Sequence, residues 1–413
     1  MVQRIKKFLQ DLDYLILAPT LMLCGLGLAC IYSATFTGDQ LNFTKQLTFF
    51  FIGVMLMLMT VLIPLRLIDG ASFTVFAVTI ALLILVFFAG SVRYGARRWF
   101  TLGPFGFQPS ELAKIAAILF IARILALRQV NSSQVMNIII VFSVAAIPML
   151  LVMKQPDLGT ALCVGSVALP ILYWNGISLF SIFVMFSPIA TVLVHIISGY
   201  SFNAFITMLF IILTILYFSK RKTLIILGVF AVNVIVGLSS EPIWESLKDY
   251  QKQRILNFIE PERDMQGSGY QVTQSKIAIG SGGLAGKGYL HGTQTQLNFL
   301  PEQHTDFIFS VIGEEFGFLG SLFLLALFGI LIFRIVIIAD AVDDKFASLA
   351  LIGIASLFAF QLLVNIGMTT GLMPVTGIPL PLLSYGGSAL WANMFLIGFV
   401  LNVAMRKKNY EIH

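Results

Sequence analysis

Residues 307–335 read FIFSVIGEEFGFLGSLFLLALFGILIFRI. From Phe316 to Phe333 the run contains no charged residue. A helix needs about 20 apolar residues to cross a hydrocarbon core of roughly 30 Å, so the stretch predicts a membrane span. Glu314 and Glu315 stand near its entrance. Acids entering a bilayer are costly unless they are paired or face a polar cavity.

The same pattern recurs along the chain. Apolar runs near 14–34, 46–65, 71–90, 110–127, 136–153, 158–175, 178–198, 203–219, 222–240, 347–369 and 382–405 join it, about twelve spans in all. The composition agrees: 58% of the 413 residues are hydrophobic and 11% charged, against about 25% charged in soluble domains. The expectation is an all-α polytopic transmembrane helical bundle, a single integral membrane domain over 1–413 with a long outer loop over 240–306. The first run follows Arg4, Lys6 and Lys7 and is read as a retained helix, being too long for a cleavable signal.

The net charge of +6 does not point to nucleic acid, because the basic residues sit in loops and at chain ends, where they orient a membrane protein. Arg4, Lys6, Lys7, Arg66, Arg128, Lys220, Arg221, Lys222, Arg334, Lys345, Arg406, Lys407 and Lys408 fall on one side, which is then cytoplasmic, with both termini inside. Arg93, Arg97 and Arg98 break the rule in a short outer loop, which invites a functional reason. Cys24, Cys30 and Cys163 lie in apolar runs and read as small buried hydrophobes. The four histidines form no zinc motif.

Four polar segments fall on the outer face: GARRWFTLGPFGFQPSELAK (95–114), KQPDLGT (154–160), GSGGLAGKGYLHGTQTQLNFLPEQHTDFIF (280–309) and MPVTGIPLPLLSYGGSA (373–389). Each leads into a helix N-terminus, whose free N–H groups and partial positive charge suit an anion such as phosphate. Each is also readable as a plain capped helix start. Lys114 stands one turn into its span, near the positive end, three residues after Glu111; the two can pair as a structural ion pair or as part of a site. Asp306 is readable as an ordinary helix-start carboxylate or as a general base. The glycine run follows no βα unit, so it predicts a flexible or tightly turned loop and not a dinucleotide fingerprint.

The strings GARRWF (95–100), QPSELAK (108–114), QPDLGT (155–160), YQKQRI (250–255), the segment 280–309, IGEEFGFLG (312–320) and PLLSYGGS (381–388) run in order over nearly the whole chain. In them the chain resembles the SEDS family (shape, elongation, division, sporulation), with wording in 280–309 that is similar to the RodA branch more than to FtsW. The resemblance implies the SEDS fold and a peptidoglycan glycosyltransferase. Such an enzyme polymerises lipid II through β-1,4 linkages at the outer face of the bacterial cytoplasmic membrane. It releases undecaprenyl pyrophosphate and serves lateral wall elongation and rod shape. Its implied partners are a class B penicillin-binding protein and other membrane proteins of the elongation complex.

Carried over by motif, Asp306 is the implied catalytic residue. Lys114, Glu111, Arg97, Arg98, Gln108, Lys154, Asp157 and His304 form the candidate substrate-binding set. A divalent cation (Mg or Mn) is implied as an aid, with no organic cofactor. Family members usually have ten spans, so residues 178–240 read as an extra transmembrane pair. A lipid II flippase, favoured if broken helices met at mid-membrane, and a non-catalytic scaffold of the elongation complex are the rival readings.

Overall fold

The computed structural model describes residues 11–36, 40–93, 96–102, 105–128, 134–219, 221–246, 252 and 268–410. The YQKQRI string lies almost wholly outside the described residues. The chain divides into two compact units, residues 1–175 with 270–413, and residues 176–269; the single domain expected from sequence is thus two packing units.

In the first unit, α1 (Tyr14–Ala34), α2 (Leu41–Leu62) and α3 (Leu65–Ala89) precede a small sheet of β1 (Ser91–Arg93), β2 (Ala96–Leu102) and β3 (Phe105–Phe107). Helices α4 (Pro109–Leu127), α5 (Gln134–Lys154), α6 (Leu158–Ser166) and α7 (Ala168–Trp174) follow. The second unit holds α8 (Leu179–Ile197), α9 (Phe202–Phe218), α10 (Thr223–Leu238) and α11 (Ser240–Ser246). The first unit resumes with α12 (Ser268–Ser281), α13 (Thr293–Gln296), α14 (Ile308–Asp340), α15 (Lys345–Thr369) and α16 (Gly387–Tyr410).

Among the described residues, eight helices are long and apolar enough to cross a membrane: α1, α2, α3, α5, α8, α14, α15 and α16. The other predicted runs are helical as well. Helix α4 carries Glu111, Lys114 and Arg123, α6 and α7 break one run in two, and α9 and α10 are short. The chain is therefore an all-α, multi-pass membrane protein. The second and third spans begin at Leu41 and Leu65, ahead of the expected 46 and 71, and the turn between them is set by Ile63 and Pro64: both are extended (ψ 130 and 131), and proline can open a helix but not continue one.

Helices α15 and α16 form the centre of the first unit and are mostly buried. Glycines let α16 lie close along α2: a Cβ on Gly398 would sit 2.6 Å from the Met57 carbonyl. Asn402 locks the same pair by donating to Thr60 O and Ile63 O at 2.8 and 2.6 Å. Two ion pairs pin the opposite end of the bundle from the polar motifs, Arg334 to Asp13 at 2.7 Å and Arg123 to Asp69 at 3.5 Å.

Two segments read as loop have structure of their own. Strands β1, β2 and β3 pair antiparallel, with Val92 opposite Arg97 and Phe100 opposite Phe107. These aromatic-rich strands suit a pleated half-buried surface. Residues 240–306 contain α11, α12 and α13. In α12, Val272, Ser275 and Ala278 are buried; this helical spacing is masked in sequence by low overall hydrophobicity.

The glycine run of 280–288 has a specific task. Helix α14 is interrupted at Gly317, whose φ of 66 and ψ of −158 are non-helical. The loop fills the break with backbone hydrogen bonds on both sides. Lys287 N and Gly288 N donate to Glu314 O and Glu315 O, while Phe318 N and Leu319 N donate to Gly283 O and Leu284 O. At Gly286, φ is +82 and a Cβ would lie 2.1 Å from Glu315 O, so only glycine fits. A broken helix in a membrane protein needs this compensation for its freed backbone groups.

Candidate active site

Asp306 lies two residues before the first residue of α14 and is half-buried. Its carboxylate accepts no hydrogen bond from the described residues, although the surrounding backbone is heavily bonded. Gly377, with a φ of +70, runs alongside: a Cβ there would sit 3.2 Å from Asp306 Oδ2. Burial above all, then the nearby Glu302 and Asp157 carboxylates, push the Asp306 pKa up to about 7. His304 stacks edge-on against Tyr385 at 5.5 Å between ring centroids. Burial holds its pKa below the ordinary value, partly offset by Glu302.

The other polar motifs converge on this corner. Asp157 caps α6 by accepting from Thr160 N and Oγ1 at 3.1 and 3.0 Å. It also accepts from Gln108 Nε2 at 3.1 Å, at the start of α4. Gln108 N in turn donates to Ser388 Oγ in the first turn of α16. Gly159 packs so tightly on the loop before α16 that a Cβ would lie 2.6 Å from Thr376 O. The N-terminal ends of α4, α6, α14 and α16 are thus joined in one region, as the four polar segments predicted.

The predicted arginines divide. Arg98 reaches into the site region, donating from Nε to Gln155 O at 2.7 Å and from Nη2 to Pro156 O at 2.6 Å. It ties the sheet to the QPDLGT turn. Arg97 is exposed and points the other way, to the Phe87 carbonyl near the end of α3 at 3.3 Å. Lys154 is exposed at the end of α5.

Lys114 and Glu111 form an ion pair of 2.7 Å with side chains only 2% and 6% exposed. The pair is sealed within the helices, so its charges largely cancel and neither group opens to the surface. Asp157 lies within electrostatic range of both the buried Lys114 and the half-buried Asp306.

Glu314 and Glu315 are paired and do not line an open cavity. Glu314 accepts from Lys287 Nζ, Gln294 N and Thr293 Oγ1 on one oxygen and from Thr295 N and Oγ1 on the other. It holds the start of α13 in place. Glu315 accepts from Ser33 of α1. No group of three His, Cys, Asp or Glu able to hold a metal occurs among the described residues. The divalent cation implied by the resemblance therefore has no protein cage there.

Sequence reasoning did not single out Glu302, Asn365, Gly377, Ser384 or Ser388. Four of them lie inside segments recognised as polar. Asn365 had a usable signal: with Gln361 it is one of two amides in the otherwise apolar run QLLVNIGM (361–368).

The family model described as "Cell cycle protein" (FtsW/RodA/SpoVE) matches residues 14–204 and 182–409. Peptidoglycan glycosyltransferase MrdB of Escherichia coli K12 is 38% identical over 401 residues, spanning 96% of this chain and 95% of that protein. Peptidoglycan glycosyltransferase RodA of Treponema pallidum is 34% identical over 450 residues, spanning 96% and 98%. Among solved structures, a chain of a peptidoglycan synthase complex that coordinates polymerization and crosslinking aligns with a TM-score of 0.72 at 31% identity, covering 96% of this chain and 98% of that one. The Thermus thermophilus rod shape determining protein RodA aligns with a TM-score of 0.62 at 27% identity, covering 95% and 96%. Matched by the family model over nearly its whole length and by relatives above 30% identity end to end, the chain belongs to the FtsW/RodA/SpoVE family.

Proposed function

We propose that this chain is a peptidoglycan glycosyltransferase that polymerises lipid II on the outer face of the bacterial cytoplasmic membrane, with both termini inside. Asp306 carries the proposal: a half-buried carboxylate without a hydrogen-bond partner among the described residues, with a pKa raised to about 7, where four helix N-termini meet. A base poised near the working pH is the efficient choice for a sugar hydroxyl.

Asp306 accepts the proton of the acceptor GlcNAc 4-hydroxyl as that oxygen bonds to the anomeric carbon of the donor MurNAc. The bond from this carbon to the pyrophosphate oxygen breaks, and undecaprenyl pyrophosphate leaves with the electron pair. One displacement inverts the centre and turns an α-linked donor into a β-1,4 glycan. The clustered helix N-termini favour the negative charge that develops on the leaving group. Lys114, buried against Glu111, acts on this region through packing and through Asp157. The polyprenyl tail stays in lipid while the sugars are handled at the polar end of the bundle.

A class B penicillin-binding protein and elongation-complex membrane proteins are the partners in this reading, and a divalent cation bound with the substrate pyrophosphate is its remaining option for charge. Residues 178–240 are read as an added transmembrane pair that returns the chain to the same face. The transporter alternative needs a broken helix lining a mid-membrane path, whereas the break in α14 is filled by its own loop. Analysis of the products from purified lipid II tests the proposal. β-1,4-linked strands with release of undecaprenyl pyrophosphate support it. Lipid II crossing the bilayer unchanged overturns it.

A further inference from the structure

Three successive backbone carbonyls around the candidate base are each held by a separate donor. His304 O accepts from Tyr385 N at 2.9 Å. Thr305 O accepts from Ser384 Oγ at 2.6 Å. Asp306 O accepts from Asn365 Nδ2 at 2.8 Å. Two of these donors also bind the loop that brings Gly377 beside Asp306. The second N–H of Asn365 donates to Ile378 O at 2.8 Å, and Ser384 Oγ accepts from Leu380 N at 2.8 Å. Asn365 has no exposed surface and Ser384 has 6%, so neither is placed to touch a sugar.

Asn365 spends both amide hydrogens on carbonyls from two different segments, and its Oδ1 is buried without a partner. Leaving that acceptor unpaired costs stability, so the side chain is not simply filling space. A leucine would pack there without stranding an oxygen. What the amide does is clamp Asp306 and Ile378 at a fixed spacing, with Gly377 next to the carboxylate. Among the described residues, no hydrogen bond fixes or quenches the Asp306 side chain.

We infer that Asn365, seconded by Ser384, is a positioning residue for Asp306, setting the aim of the base through its main chain and fixing the Gly377 wall beside it. This rests on the reading of Asp306 as the base. A group that is held by its backbone and not by its carboxylate keeps both oxygens available for the acceptor hydroxyl. Displacing such a group by about 1 Å costs on the order of 100-fold in rate.

The test is lipid II polymerisation by the full-length reconstituted chain, with kcat and KM per folded molecule for wild type, N365A, S384A and D306N, each followed across pH. N365A is expected to lower kcat about 10- to 100-fold with KM within about 3-fold, and to displace the acid limb of the pH–rate profile. S384A is expected to do the same to a smaller extent. Equal kcat per folded molecule, with only the yield of folded protein reduced, overturns the inference. Should N365A not fold, S384A decides on the same two readouts. If D306N polymerises normally, it is the base assignment that fails. If D306N is inactive while N365A and S384A turn over like wild type, the base stands and the positioning role falls.

Discussion

Gln108 donates to Asp157 at 3.1 Å, and this contact joins the start of α4 to the start of α6. It holds Asp157 within electrostatic range of both Lys114 and Asp306. Asp157, by capping a helix, also contributes to the field that lifts the Asp306 pKa. One carboxylate therefore both caps a helix and tunes the proposed base.

The first consequence concerns pH. Asp306 must be ionised to take a proton, and its pKa lies at about 7. Turnover should fall as pH drops through 7. Glu302→Gln removes one negative neighbour while keeping an oxygen for Thr305, whose hydroxyl donates to Glu302 at 3.1 Å. The acid limb of the pH–rate profile is expected to move to lower pH in this variant; an unmoved limb would assign the limb to another group.

Stability should run the opposite way to activity. The folded state raises the Asp306 pKa from an ordinary 3.8 to about 7, so folding favours the protonated form. Below 3.8 the group is protonated in both states and costs nothing. Between 3.8 and 7 its contribution falls as pH rises, and above 7 the penalty is constant. Asp306→Asn should melt higher than wild type at pH 8, with the gap closing towards pH 4. Thermal unfolding of the two proteins in the same detergent measures this.

How much of this was legible beforehand follows from the kind of signal each feature leaves. Spans such as 14–34 and 347–369 were plain, because burial in lipid requires continuous apolar runs. The convergence of Gln108, Asp157 and Asp306 was expected from motifs on one face, though no spacing in the chain could pair Gln108 with Asp157. For Glu314 the sequence left pairing and a polar cavity both open, because its partners, at 287 and 293–295, become neighbours only after the loop folds back. The break at Gly317 was invisible because a glycine in an apolar run is common. Arg97 and Arg98 are adjacent in sequence, yet strand alternation sends them to different partners.

The ion pair of Lys114 and Glu111 predicts strong coupling. Lys114→Met alone strands a buried carboxylate, and Glu111→Gln alone strands a buried ammonium. Either is expected to cost roughly 3–5 kcal/mol. The double variant should cost much less than the sum, because no uncompensated charge remains. Unfolding of the four proteins in a double-mutant cycle checks it; additive losses would mean the pair is not coupled.

The seal in α14 predicts a backbone effect. Gly286→Ala places a Cβ against the Glu315 carbonyl and demands a strained φ of +82. The loop 282–300 should loosen, become sensitive to limited proteolysis, and lower the melting temperature. Substitution at Gly280, where a Cβ meets nothing within 4 Å, should be tolerated and serves as the control.

The most direct measurement is polymerisation of purified lipid II by the reconstituted wild type and Asp306→Asn, at pH 8 and with matched amounts of folded protein. Long glycan strands from the wild type, and a loss of about 10²- to 10⁴-fold in the variant, are the predicted result. Near-normal strand synthesis by Asp306→Asn would contradict the account, since its base would then be dispensable.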